Sequence, residues 1–153
     1  MNRPDRPPVQ IGETPVQIGE TFTQRATFDA ASIREFALLS RDGNPLHHDE
    51  AVAAQSEFGT LIASGPHITA LMMGLDATYF SRRFDALGLE FAFRFVKAIP
   101  AGTALTLEWT ITETRMKPSL NGHLVSVEGR AVDDAGTVYT TARGVNLVRQ
   151  PRT

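Results

Sequence analysis

Gly65-Pro66-His67-Ile68-Thr69-Ala70-Leu71-Met72-Met73-Gly74-Leu75-Asp76-Ala77-Thr78-Tyr79-Phe80 sets the architecture of the chain. Ile68, Ala70, Leu71, Met72, Met73, Leu75 and Ala77 leave it apolar nearly all round, which predicts a buried central helix over 66–80. Ser64-Gly65 followed by Pro66 reads as the helix start, because proline is favoured at the first helical position, where its missing N–H costs nothing.

After this helix the hydrophobic period falls to two. Leu89, Phe91, Phe93 and Phe95 alternate with Glu90, Ala92, Arg94 and Val96; Ala101-Gly102 is a turn; Leu105, Leu107, Trp109 and Ile111 then alternate with Thr106, Glu108, Thr110 and Thr112. Asn121-Gly122 is a hairpin signal, and Asp134-Ala135-Gly136 is a further turn before an apolar strand over 138–148. Upstream, Phe22, Gln24, Ala26 and Phe28 share one side of a strand opposite Thr21, Thr23, Arg25 and Thr27. About five strands and one buried helix make an α+β domain in which an antiparallel sheet curls around the helix.

A chain of 153 residues with 42% hydrophobic residues fits one domain with a core of its own. It has no cysteine, so a disulfide framework and thiolate catalysis are excluded. The net charge of −2, with Lys97 and Lys117 as the only lysines and the arginines scattered, argues against a nucleic-acid partner. No apolar run approaches the roughly 20 residues that cross a bilayer, and the N-terminus lacks an apolar signal core, so the expectation is a cytoplasmic protein with no membrane contact. Prolines at 4, 7, 8 and 15 make residues 1–16 an extended, poorly ordered arm. Val9-Gln10-Ile11-Gly12-Glu13-Thr14 in it recurs, across its end, as Val16-Gln17-Ile18-Gly19-Glu20-Thr21, a duplication too short for a solenoid. The domain is expected over 17–149, with a tail at 150–153.

The chemistry concentrates between the first strand and the central helix. Asp29 is a good N-cap, with Ser32 and Glu35 as an alternative capping box, for a helix over 30–40 that carries Ile33, Phe36 and Ala37 on one face. Just past its end come Ser40-Arg41-Asp42-Gly43-Asn44-Pro45-Leu46-His47-His48-Asp49. Gly43 reaches positive φ freely, Asn44 bonds nearby backbone and Pro45 fixes φ, so a tight turn can bring Asp42 and His47 towards one point. Asp49 then caps a short helix over 50–55. The N–H groups at a helix start have no intrahelical partner, so the Gly65 amide can hold a developing oxyanion, and glycine lets a ligand approach the backbone closely.

Plainer readings stand beside these. Asp42 alone could be an Asx-turn residue and Gly65 a tight turn before a core helix. His48 follows His47 directly and points elsewhere; His67, in the first helical turn, reads as a hydrogen-bonded structural histidine; His123 reads as surface; Met72-Met73 reads as core packing. His47, His48 and Asp49 could form a metal site on paper, but no metal-ligand spacing such as His-Glu-x-x-His is present, so no metal is expected. Neither a phosphate-binding glycine loop nor a Gly-x-Ser-x-Gly elbow occurs, and no cofactor is expected.

Phe36-Ala37-Leu38-Leu39-Ser40-Arg41-Asp42-Gly43-Asn44-Pro45-Leu46-His47-His48-Asp49 resembles the hydratase motif of the MaoC-like dehydratases and (R)-specific enoyl-CoA hydratases, which have the hotdog fold. Phe58-Gly59-Thr60-Leu61-Ile62-Ala63-Ser64-Gly65 resembles that family's approach to its central helix, and the resemblance runs over roughly 17–147. It implies a catalytic dyad of Asp42 and His47, an oxyanion amide at Gly65, and substrate contacts from Asn44, Ser64 and Pro66. The implied reaction is reversible syn addition of water to a trans-2-enoyl thioester of CoA or acyl carrier protein, giving an (R)-3-hydroxyacyl thioester. The implied assembly is a homodimer. Arg82, Arg83, Arg94, Lys97 and Lys117 are candidate contacts for a CoA moiety. Ser64 stands where the family often has histidine, and Met73 where some hydratases carry a serine. Those departures keep two other readings open: a non-catalytic or partner-dependent thioester-binding subunit, and a hotdog thioesterase using Asp76, the helix carboxylate.

Overall fold

The computed structural model describes residues 14–151. The first repeat copy up to residue 13, most of the expected arm and the last two residues of the tail lie outside them. The chain runs β1 (Thr21–Phe28), α1 (Ala30–Leu39), a one-turn 3-10 helix (Pro45–His47), α2 (Glu50–Gln55), α3 (Gly65–Ser81), β2 (Asp85–Phe95), β3 (Thr103–Lys117), a second 3-10 turn (Pro118–Leu120), β4 (Gly122–Val132) and β5 (Val138–Arg149).

The strands form one antiparallel sheet in the order β1-β3-β4-β5-β2, so β1 and β2, which flank the helices in sequence, end up on opposite edges. Leu105, Leu107, Trp109 and Ile111 of β3 and Val125, Val127 and Ala131 of β4 project from the inner face and are buried, together with Ile68, Met72 and Phe80 of α3. Period-2 burial on the strands and a buried stripe on the helix are what layer packing requires. This is the hotdog arrangement: a sheet curled on a central helix.

Trp109 is the centre of the core. Its indole N–H donates to the Met72 carbonyl at 2.8 Å, and the rings of Phe91 and Phe93 meet it edge-on at 5.8 and 6.4 Å. Gly129, its cross-strand partner, leaves the room: a Cβ there would lie 2.6 Å from the indole. The far end of α3 is tied to the entry of β1, where the Tyr79 hydroxyl donates to Glu20 and Arg83 reaches the same carboxylate at 3.2 Å. Burial and the bond to Glu20 push the Tyr79 phenol up to about 12. Val16, at the end of the expected arm, packs into the core.

Several expectations need correction. The central helix is not buried all round: Pro66, Ala70, Met73, Gly74, Ala77 and Thr78 form an exposed stripe, because one sheet can cover only one side of a helix. Of the Met72-Met73 pair, Met72 is core and Met73 is 41% exposed. The left-handed residue after α1 is Arg41, at φ 57°, not Gly43. Asp42 N–H bonds the Ala37 carbonyl and Arg41 N–H that of Leu38, a Schellman closure that places its left-handed residue one position beyond the cap, whatever its side chain. β3 extends to Lys117, past the alternation that ends at Thr112, because a bulge between Ile111 and Glu113 shifts the pleat while pairing with β4 continues.

Candidate active site

Asp42 and His47 are brought together by backbone bonds, each with a local cause. The Schellman closure turns the chain sharply after α1. Asp42 Oδ1 then accepts from the Asn44 N–H at 3.0 Å, and Asn44 Oδ1 caps the next turn by accepting from Leu46 N–H at 3.1 Å. Asn44 thus braces the turn through its side chain. Pro45 opens the single 3-10 turn that ends at His47. These bonds use Asp42 Oδ1 and leave Oδ2 facing His47 Nε2 at 3.5 Å.

The opposite nitrogen of His47 fixes the proton. Nδ1 lies 2.7 Å from the Ile62 carbonyl, which can only accept, so Nδ1 carries the hydrogen and a neutral ring presents a lone pair at Nε2. His47 is buried and Asp42 half-buried. Two acceptors at 3.5 Å cannot bond each other, but the two O–H groups of one water can satisfy both. His48 faces away from this point, as its place in the sequence suggested, and its Nε2–H bonds the Asp42 carbonyl at 2.5 Å, holding the turn from behind.

The segment that orients His47 also delivers the central helix. Ile62 N–H bonds the Leu46 carbonyl, Ala63 N–H bonds Ile99, and Ala101 N–H bonds Leu61, so residues 61–63 are clamped between the acid–base turn and the connection from β2 to β3. Two residues later α3 begins. Its first amide, Gly65 N–H, is one of those that helix geometry leaves without an intrahelical partner, and Pro66 has none. α1 and α3 are pinned at this end by Phe36 stacked on His67 at 4.6 Å, with Phe28 meeting that ring edge-on at 4.9 Å. His67 is therefore structural, but not hydrogen-bonded throughout as expected: Nδ1 is buried with no partner among the described residues, and burial holds its pKa below the usual range.

A cavity of about 360 Å³ joins these parts, lined by His47, Ser64, Gly65, Ile68, Phe95 and Thr140 among others. Phe95 is 57% exposed, and its ring lies directly over Gly65, where an added Cβ would come within 2.8 Å of it. Of the residues singled out in the sequence, His47, Ser64 and Gly65 line the cavity, and Asp42 stands beside His47 Nε2. Asn44 and Pro66, expected as substrate contacts, are exposed and Met73 lies on the outer stripe of α3; none of the three lines it. Lys97 lines the rim, its ammonium 5.2 Å from the Tyr139 ring. Ile62, Phe95 and Thr140 were missed. The Ile62 contribution is a backbone carbonyl that no side-chain motif announces. Thr140 carried a signal, a hydroxyl at an inward position of β5.

Asp76 is elsewhere. It is 1% exposed, accepts from Asn146 Nδ2 at 2.9 Å, and sits eleven residues along α3 from Gly65, roughly 16 Å at the helical rise. Burial pushes its carboxyl up to about 6 against the lowering effect of the Asn146 bond. The larger hollow, about 780 Å³, is on the outer face of the sheet and is lined by charged pairs such as Arg130 and Glu108. It shares no residue with the acid–base turn. Among the described residues no group of His, Asp and Glu is placed to hold a metal, and no helix is long and apolar enough to cross a membrane.

Among solved structures, the chain is similar to the R-hydratase PhaJ1 of Pseudomonas aeruginosa in its unliganded form, at 24% identity and a TM-score of 0.78 over 89% of this chain and 84% of that one. It is also similar to the (R)-hydratase of A. caviae involved in PHA biosynthesis, at 25% identity and a TM-score of 0.78 over 91% of this chain and 100% of that one. A MaoC-like dehydratase from Rhodospirillum rubrum superposes with a TM-score of 0.75 at 26% identity, covering 90% of this chain and 96% of that one. No curated protein matches the chain. The sequence profile described as MaoC like domain matches residues 5–132, most of the chain. With the hotdog sheet, the central helix and the Asp-x-Asn-Pro-x-His turn all in place, the chain belongs to the MaoC-like dehydratase family.

Proposed function

We propose that this protein is a hydratase/dehydratase that interconverts trans-2-enoyl and (R)-3-hydroxyacyl thioesters of CoA or acyl carrier protein, without a metal or cofactor. The observation that carries the reading is the lone pair of His47 Nε2, set by the Ile62 carbonyl behind it, facing Asp42 Oδ2 at 3.5 Å on the wall of the cavity that also holds Gly65.

Water held between Nε2 and Oδ2 donates one hydrogen to each. Nε2 takes one proton as the water oxygen bonds to C3, and the C2–C3 π electrons move towards the thioester oxygen. Gly65 N–H donates to that oxygen, at the positive end of α3, as its charge grows. The electron pair then returns to C2, which takes the proton back through the His47–Asp42 pair. One water is added, and the dyad ends as it began. Asn44 contributes by holding the turn, and Ser64 by its place beside the oxyanion amide. Delivery of oxygen and hydrogen from one side of the double bond is what makes the addition syn.

A homodimer joined through the β2 edge completes the reading. β2 is an edge strand, and Leu87 (54%), Leu89 (51%) and Phe95 on it are exposed, an apolar edge that a second copy would cover by extending the sheet. The test of function is hydration of a panel of trans-2-enoyl-CoA substrates, followed by the loss of enoyl absorbance, with chiral analysis of the product. An (R)-3-hydroxyacyl product supports the proposal. No turnover across the panel, or an (S) product, overturns it.

A further inference from the structure

The catalytic cavity contains more hydrogen-bond donors than the thioester oxygen can use. Ser64 and Thr140 both line it, both residues are 1% exposed, and their hydroxyl oxygens are buried in its wall with no hydrogen-bond partner among the described residues. Ser64 is the N-cap of α3 by position yet its side chain does not cap, which is unusual for serine there. A buried hydroxyl without a partner is costly, and native cores keep such groups where a ligand or water meets them.

The two differ in place. Ser64 is adjacent to Gly65, on the oxyanion side. Thr140 comes from the sheet, paired in register with Phe95, whose ring lies over Gly65. A carbonyl oxygen has two lone pairs, so Gly65 N–H and one hydroxyl saturate it. The remaining hydroxyl needs another oxygen. The rest of the wall, Ile62, Ala63, Ile68, Val96 and Ile99, offers none from a side chain.

We infer that Thr140 is a specificity-determining residue that hydrogen-bonds an uncharged oxygen carried on the acyl chain, so that the preferred substrate is an oxygenated enoyl thioester rather than a plain aliphatic one. The inference rests on the hydratase reading and narrows its substrate class. A plain chain bound there would leave the Thr140 hydroxyl without a partner; an oxygen on the chain that meets it would supply one. Sites built to bond a substrate hydroxyl discriminate strongly against analogues that lack it.

The test compares crotonyl-CoA with 4-hydroxybut-2-enoyl-CoA, and pent-2-enoyl-CoA with 5-hydroxypent-2-enoyl-CoA, on wild type, Thr140→Val and Thr140→Ser. Wild type is expected to favour one hydroxylated substrate by at least about tenfold in kcat/KM. Thr140→Val should bring that ratio below about threefold and Thr140→Ser should restore it. Because the hydroxyl bonds no protein group, Thr140→Val should unfold at the same urea concentration as wild type or higher. Calorimetric binding of freshly prepared butanoyl-CoA and 4-hydroxybutanoyl-CoA, which have no double bond to hydrate, separates the two proposals. A Thr140-dependent binding preference without any turnover supports the contact from Thr140 to the chain oxygen while the hydratase reading fails. Turnover of both members of each pair with no preference, or a preference unchanged in Thr140→Val, overturns the inference and leaves the hydratase reading standing. Destabilisation of Thr140→Val also overturns it, by showing that the hydroxyl serves the fold.

Discussion

Replacing Asp76 by asparagine should make the protein more stable at pH 8, by a margin that grows as the pH rises. Asp76 is sealed between α3 and β5 and receives one hydrogen bond, from Asn146. Burial raises its pKa from 3.8 to about 6 in the folded state. A carboxyl whose folded pKa is raised binds its proton more tightly folded than unfolded, so its contribution is most favourable below pH 3.8 and is lost as pH rises through about 6. A difference of about two units corresponds to about 3 kcal/mol, and roughly half of that is lost between pH 5 and 8. Asparagine keeps the shape and carries no charge at any pH. The assay is urea unfolding followed by the fluorescence of Trp109, the single tryptophan, which is fully buried beside Met72. The difference between variant and wild type is the quantity to read, because Glu20 titrates with the opposite sign: burial opposes its charge, but bonds from Tyr79, the Gln17 amide and Arg83 prevail and lower its pKa. The advantage of Asp76→Asn over wild type should grow by about 1 to 2 kcal/mol from pH 5 to pH 8. A variant destabilised equally at both pH values would refute the reasoning, since it would mean that the folded protein needs the ionised carboxylate.

Arg41→Gly should stabilise the fold by about 1 kcal/mol, because Arg41 holds φ 57° at the position after α1 where glycine is unstrained; a lower urea midpoint would contradict this. Gly65→Ala keeps the N–H but sets a methyl group within 2.8 Å of the Phe95 ring, crowding the approach of the thioester oxygen to the amide, so kcat/KM should fall about 10²-fold, as misplacement by about 1 Å does, while the urea midpoint moves little because the Phe95 ring is half-exposed; an unchanged rate would mean that the thioester oxygen does not approach the backbone at Gly65. Leu89→Lys should convert a dimer to monomers in sedimentation velocity by charging the exposed β2 edge, and an unaltered dimer would place the interface elsewhere.

What could be read from the residues alone follows their physics. The alternation through Leu105, Leu107, Trp109 and Ile111 and the apolar run of α3 specify a sheet and a helix because each pattern has one period and one way to bury it. Which side of α3 stays open was illegible, since Met72 and Met73 are equally apolar and only the position of the sheet distinguishes them. Asp42 and His47 were legible because turn residues force them together, whereas the Ile62 carbonyl that sets the histidine tautomer is backbone brought in by tertiary folding. Arg41 escaped notice because the Schellman bonds impose positive φ on whatever residue follows the cap, and Gly43 drew attention by its type.

If His47 and Asp42 act as one acid–base pair on a water beside Gly65, kcat for enoyl-CoA hydration falls in His47→Gln and in Asp42→Asn, with folding checked by Trp109 fluorescence. Each variant should lose about 10² to 10⁴ in kcat, and the double variant should lose little more than the worse single one, because the two residues serve the same proton transfer. Folded variants that retain the wild-type kcat would contradict the account.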